Sequence, residues 1–450
     1  YFDNTLPGDD TYYFRVTAYD NHAGWPNESY YSDSMGVFVP YAGPIWYVSS
    51  DMGNDGTGIG SPSKPFRTIF RALQAILPGD TVQLFACSAV WTESVALTQD
   101  SIAVVGMGST RSIIEPGAAI GCTAAARSAL ILRDLCIRNA GGGNSNVQWS
   151  GVARSEISGC SIAGSTGRGI QLSNVATSVF SGNHIAKNAG YGIDCVGDNN
   201  YFFNNQLKAN TNTQLYFNGT MQDNRIDSNL VQGGGGTAIY LTCDSNSVTN
   251  NRILSPVTGI HLNNADSTVI TGNHVSGATG SNNLAINNGY GNVIDSNTFT
   301  GGAVAQVKLY TNSHRNRFRY NTVTGGLAQG LLLENTTDNL FEQNYFAGNA
   351  DTAVWITGTS AADTFTKNNI SSANGRLVTG SATAGAIFDL TRNWWGMTDS
   401  NAVAAGMTGS AADKLRWQPF RLGECDTIAG ADTIAPAAPA AVTVTIAGDN

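Results

Sequence analysis

Charge is scarce in this chain. Asp, Glu, Lys and Arg make up 13% of its 450 residues, and 24 Lys and Arg face 33 Asp and Glu, a formal net charge of −9. A nucleic-acid binder needs a basic face to meet phosphates, so that class is excluded, while neutral or basic partners and polysaccharide stay open. Long apolar runs are missing too, and nothing approaches the roughly 18 residues of a membrane-spanning helix. The seven cysteines (Cys87, Cys122, Cys136, Cys160, Cys195, Cys243 and Cys425) contain no CxxC pair and share no metal-ligand spacing with the five histidines, which leaves no zinc or redox motif. Most of these cysteines are expected as buried free thiols, a bridge being the alternative. Neither a leader nor an initiator Met opens the chain, as expected if it begins inside a domain.

Helical periodicity is also lacking. A helical solenoid repeats apolar residues at i, i+3, i+4 and i+7, and the density of Asn together with 52 Gly forbids it. What stands in its place is one phrase: polar, x, apolar, x, x, Asn, x, apolar. It reads Asn200/Phe202/Asn205/Leu207, then Asn224/Ile226/Asn229/Val231, Asn246/Val248/Asn251/Ile253 and Asn292/Ile294/Asn297/Phe299, with further copies at Asn316 and Asn339. Looser copies begin at Ser178, Thr268 and Asp363. The second Asn of the phrase falls at 183, 205, 229, 251, 273, 297, 321, 344 and 368, a mean step of about 23 residues, and a fixed period of that size signals a solenoid.

About ten residues after each marker Asn, two apolar residues flank one variable residue, as in Ile193/Cys195, Ile239/Leu241 and Val354/Ile356. Such period-two alternation predicts a strand with one buried face. A unit this short cannot close a core alone, so it must stack on its neighbours. The fold class expected is all-β, a right-handed parallel β-helix solenoid of about 11–12 coils. Its marker Asn residues should stack at a bend between strands, where Asn tolerates unusual backbone angles and its amide can bond along the stack.

Four segments follow. Residues 1–42 resemble the last part of a fibronectin type III domain, on Leu6, Pro7, Gly8 and Tyr12 as its tyrosine-corner turn, a strand over 12–20 and a last strand over 30–39. Residues 43–106 resemble the opening segment of secreted β-helix proteins. Here a helix with Phe66, Ile69, Phe70, Leu73 and Ile76 on one face is expected to cap the open end of the stack. Residues 107–425 form the β-helix, closed by Asn393-Trp394-Trp395-Gly396 and Trp417-Gln418-Pro419-Phe420. Residues 426–450, with Val442, Val444 and Ile446, look like a linker and the first strand of another fibronectin type III domain. As a whole, residues 46–425 resemble the right-handed β-helix superfamily that includes pectate-lyase-like proteins, an architecture that hosts many functions.

In that superfamily, the resemblance implies, active residues stand on the outward face of one sheet. The variable residue between each apolar pair gives that face as a column: Gln171, Asp194, Tyr216, Tyr240, His261, Ala285, Lys308, Leu332, Trp355. The ligand-binding candidates are Asp194, Tyr216, Tyr240, His261, Lys308 and Trp355. Paired carboxylates for glycoside hydrolysis are missing from it, as are the pectin-hydrolase and calcium-lyase motifs. If the chain is an enzyme, Lys308 or His261 is the expected base. No cofactor is expected, calcium on Asp51 and Asp55 in the Asp/Gly loop at 51–56 being the one alternative to an ordinary turn. Asn27, Asn218, Asn335 and Asn369 head Asn-x-Ser/Thr sequons.

Two functions are weighed. The first is a noncatalytic extracellular or cell-surface structural or adhesive protein, a filament, stalk or sheath segment binding polysaccharide or like subunits, with head-to-tail self-assembly. The second is a carbohydrate-active lyase or hydrolase with accessory fibronectin-type modules.

Overall fold

The apolar pairs around each variable residue determine the observed path. In the computed structural model, which describes residues 8–19, 28–220, 222–381 and 386–427, each coil contributes one strand to each of three parallel sheets. One coil runs through Ile193–Asp198 in a 14-stranded first sheet, Tyr201–Phe203 in a 16-stranded second sheet and Gln206–Lys208 in a 12-stranded third sheet. The chain thus folds as an all-β, right-handed parallel solenoid of about 14 coils. The expectation of 11–12 is corrected for a topological reason. Ile45–Val48, Thr81–Leu84 and Ala103–Val105 pair in parallel as the first members of the second sheet, so coiling begins within 43–106.

Inside, equivalent residues of successive coils lie on one another. Phe180 stacks on Phe202 with ring centroids 4.7 Å apart, and Phe318, Phe341 and Phe365 stack at 4.8 and 4.5 Å. The marker Asn ladder is present and fully inside: Asn205 Nδ2 donates to Asn229 Oδ1 at 3.0 Å, Asn229 to Asn251 at 3.0 Å and Asn251 to Asn273 at 2.9 Å. Two more ladders accompany it. The first residue of the phrase makes one, as in Asn292 to Asn316 and Asn316 to Asn339, both 2.9 Å. At the third corner Asn146, Asn188, Asn210 and Gln214 make another, which the repeat phrase did not single out.

The bend itself belongs to a different residue than expected. The left-handed backbone angle sits one position before the marker, with φ 53° at Asn204, 54° at Asn250, 53° at Tyr320 and 56° at Gln343. Division of labour explains this: one residue makes the turn, and the next aims its amide along the stack. All seven cysteines are free, and six are buried; burial pushes the Cys122 and Cys160 thiols up to about 12.

Asp363 ends the second ladder where another copy has Asn. Its carboxylate accepts from Thr336 Oγ1 at 2.7 Å, Asn339 N at 3.0 Å and Asn339 Nδ2 at 2.8 Å. It is fully buried with no ion pair among the described residues, and burial pushes its pKa up to about 6. A raised carboxyl favours the protonated fold, so this site's stability is fully present below about pH 4 and lost as pH rises through about 6. Asp363→Asn is therefore expected to stabilise the chain by about 3 kcal/mol near pH 8 and by little near pH 4. Denaturant titrations at the two pH values check this; an equal gain at both would refute it.

In the first hundred residues the helix differs from expectation. The helix is short, Ile69–Ala75, with Ile69 and Ala72 facing inward. Phe70 is 63% exposed, because the helix starts at the Thr68 N-cap and turns that ring outward, while Phe66 and Ile76 are buried beside the helix. Asp10–Phe14 and Met35–Val39 form a two-stranded antiparallel ribbon, with Tyr12 opposite Val37. Tyr13, Phe14, Val37 and Phe38 on it are exposed, and no further strand pairs with it among the described residues. Leu6 and Pro7 of the expected corner, the Asn27 sequon and the strand expected around Val442 lie outside the described residues. In the 51–56 loop, Asp51 accepts from Ser88 N at 2.7 Å and Ala89 N at 3.1 Å, and Asp55 from Arg67 N at 2.7 Å and Thr68 Oγ1 at 2.8 Å. These carboxylates clamp neighbouring segments, and no group of three or more His, Cys, Asp or Glu that could hold a metal occurs among the described residues.

Candidate functional site

Parallel pairing in the first sheet carries the variable residue of every coil onto its neighbour. Gln171 pairs with Asp194, Asp194 with Tyr216, Tyr216 with Tyr240, Tyr240 with His261, His261 with Ala285, Ala285 with Lys308, Lys308 with Leu332 and Leu332 with Trp355. Outward residues recur every second position, so the same strands carry a second column two residues on: Asn263, Asn287, Tyr310, Glu334 and Thr357.

Aromatic rings occupy the middle of this face without a break. Tyr191, from the turn ahead of its strand, stacks on Tyr216 at 4.7 Å and 14°; Tyr216 meets Tyr240 at 5.4 Å, and Tyr240 meets His261 edge-on at 4.8 Å. Tyr191, Tyr216 and Tyr240 line an open depression of about 380 Å³ with Asn212, Thr213 and Gly236. Asn263 Nδ2 donates to Tyr240 Oη at 2.8 Å, and Asn287 Nδ2 to Asn263 Oδ1 at 2.6 Å.

Ala285 explains the next contact. The small side chain leaves room for Tyr310 to reach across a coil to His261, Oη to Nε2 at 3.2 Å, and Ala285 is left only 3% exposed beneath. Burial lowers His261 to about 4, so near neutral pH it is an uncharged imidazole that can accept a proton. Burial raises the Tyr310 hydroxyl above its ordinary value.

The ionic groups are paired. Asp194 meets Arg168 Nε at 2.6 Å and accepts from Asn218 at 3.2 Å. Burial nevertheless raises its carboxyl, against the pull of Arg168. Arg168 lies outside the column, in the turn before the preceding strand Ile170–Ala176, and reaches Asp194 from there. Lys308 is tied to Glu334 at 2.8 Å and lies 4.7 Å from the Tyr310 ring centre. Asp194 and Glu334 are six coils apart, roughly 29 Å at the spacing of neighbouring strands, too far for paired-carboxylate hydrolysis.

Of the six binding candidates, the structure brings Asp194, Tyr216, Tyr240 and His261 into one run, which Lys308 joins through Tyr310. Trp355 stands apart, two coils beyond Lys308, its Nε1 donating to Ser381 Oγ at 3.0 Å. Sequence reasoning missed Arg168, Tyr191, Asn263, Asn287, Tyr310 and Glu334. The signal for the last four was in plain view, since alternation continues two residues past each variable position; the first two lie in irregular turns that no periodicity marks.

The family model described as "Right handed beta helix region" matches residues 110–253 and 237–389. No curated protein matches the chain. Among solved structures, the chain is similar to the A-module of mannuronan C-5 epimerase AlgE6 from Azotobacter vinelandii, at 13% identity and a TM-score of 0.57, covering 64% of this chain and 90% of that one. It is also similar to the catalytic domain of a GH87 α-1,3-glucanase, at 12% identity and a TM-score of 0.49 over 78% of this chain and 64% of that one. The Dettilon tailspike protein is similar at 13% identity and a TM-score of 0.40, over 71% and 63%. At these identities the likeness is one of fold alone.

Proposed function

This chain belongs to the right-handed β-helix family, and on that premise we propose that it is a noncatalytic, glycan-binding rod segment of an extracellular or cell-surface protein. The carrying observation is the unbroken run of rings from Tyr191 to His261. Packed on one another along the sheet, the partly exposed tyrosines present their apolar ring edges and hydroxyls outward, a rim for the C–H groups and oxygens of a sugar, and the Asn263 and Asn287 amides stand beside them. Fourteen hydrogen-bonded strands make the platform stiff, which lowers the ordering cost of binding. Polysaccharide is the partner put forward, ahead of a second copy of the chain.

Tyr216→Ala combined with Tyr240→Ala is expected to weaken oligosaccharide binding roughly 5- to 150-fold, from about 0.5–1.5 kcal/mol of aromatic contact per ring. Titration calorimetry reads the affinity, and circular dichroism confirms that the solenoid persists. Unchanged binding in the double variant would sink the reading.

A second reading rests on the Tyr310 to His261 hydrogen bond. An uncharged imidazole beside a tyrosine hydroxyl is the equipment of proton abstraction, with His261 as base in preference to Lys308, whose ammonium Glu334 holds. Unsaturated or newly reducing glycan ends that vanish in His261→Ala would replace the binding reading by this one.

A further inference from the structure

Resting on the glycan-binding reading, we infer that this face takes a neutral, hydroxyl-rich glycan laid along the solenoid axis against the outward edges of Tyr191, Tyr216 and Tyr240, and turns away chains that carry carboxylate or sulfate groups. The inference comes from the placement of charge around the rings. Two cations border the run, and each already holds a carboxylate of the same face: Arg168 with Asp194 and Lys308 with Glu334. A polyanion would have to displace a tethered carboxylate to use either one. Between them the polar groups are uncharged: the hydroxyls of Tyr216 and Tyr240, the amides of Asn218, Asn263 and Asn287, and His261.

The margin beyond the strands reinforces this. Where the first sheet turns toward the second, Asp198, Asp244 and Asp266 form a row. Each accepts one backbone N–H from the following coil: Gln222 N at 2.8 Å, Asp266 N at 2.8 Å and Tyr290 N at 2.7 Å. None of the three is in an ion pair among the described residues. Cations stand at both ends of this margin, two coils out: Arg154 before Asp198, and Arg315 beyond Asp266, the latter over the Tyr290 ring at 5.9 Å. A row of carboxylates four or five residues from the ring-bearing positions lies roughly 13–16 Å along the strand at about 3.3 Å per residue, somewhat beyond a Debye length of roughly 8–10 Å, so its repulsion of a bound anionic chain is partly screened. The whole sequence, at −9, adds repulsion of the same sign.

The spacing favours an axial chain. Successive rings are one coil apart, about 4.8 Å, so a linear glycan can set consecutive units against consecutive tyrosines.

The test uses the full chain and two probe sets matched in length: neutral gluco-, manno- and xylo-oligosaccharides, and oligogalacturonates. The expected result is binding of at least one neutral series, at least tenfold tighter than any uronate, with little dependence on salt. Uronates bound more tightly than every neutral series, with affinity falling as salt rises, would overturn this inference and leave the glycan-binding reading standing. No binding of either set would remove the parent reading itself. A triple variant, Asp198→Asn, Asp244→Asn and Asp266→Asn, keeps an acceptor oxygen for each backbone N–H and is expected to narrow the preference for neutral chains by at least threefold. An unchanged preference would overturn the assignment of the margin.

Discussion

Asn251→Leu is expected to cost about 4 kcal/mol of folding stability, although leucine is close to asparagine in size and the site is buried. Asn251 Nδ2 donates to the Ile226 carbonyl and to Asn273 Oδ1, both at 2.9 Å, while its Oδ1 accepts from the backbone N–H of Asn229 at 2.9 Å and from Asn229 Nδ2 at 3.0 Å. Leucine returns none of these bonds. Asn229 Nδ2 keeps the Phe202 and Asp227 carbonyls, but the Asn229 N–H and the Ile226 carbonyl lose their ladder partner in a site that water cannot reach. At about 1–3 kcal/mol for each buried group left unpaired, two such groups outweigh the small apolar gain of the leucine. Equilibrium denaturation of the variant checks the magnitude, and a loss under about 1 kcal/mol would mean that the ladder is ornament.

Phe341→Ala is expected to cost about 3–5 kcal/mol, as large-to-small changes at fully buried aromatic sites do. Phe341 is 0% exposed and stacks on Phe318 and Phe365 from the coils on either side. Backbone pairing fixes the coil spacing, so the strands cannot close in on the space, and both flanking rings lose a partner. In a solenoid each coil touches only its neighbours, so the damage stays local. Hydrogen exchange is expected to quicken first in Arg317–Arg319 and Thr364–Thr366, while glycan affinity at the Tyr191 to His261 run stays within about twofold of the parent chain. Protection lost evenly over all coils would contradict this picture of neighbour-only coupling.

These two variants also show how much was legible beforehand. Asn251 and Phe341 occupy positions of one repeated phrase, and the repeat by itself put the first in a ladder and the second in the core. The outward column from Asp194 to Trp355 was legible for the same reason, because alternation in a strand is a property of the backbone. The helix was less so: Phe70 fits an apolar face on paper, but the Thr68 cap sets where the helix begins and hence which way that ring turns. The ion pairs were not legible. Arg168 lies 26 positions before Asp194, and Glu334 lies 26 after Lys308; only the closing of one coil brings each pair within 3 Å.

The sequence by itself determined the solenoid, its period, its Asn ladder and the column in which to look for function, because each follows from periodicities that the backbone imposes on every coil alike. The tertiary structure alone decided the number of coils, the third Asn ladder, the reach of Tyr310 over Ala285 to His261 and the pairing of Arg168 with Asp194 and of Lys308 with Glu334 at the ends of the aromatic run. Those features join residues of different coils, and their contacts depend on how far one coil is rotated on the next, a quantity that no single repeat contains.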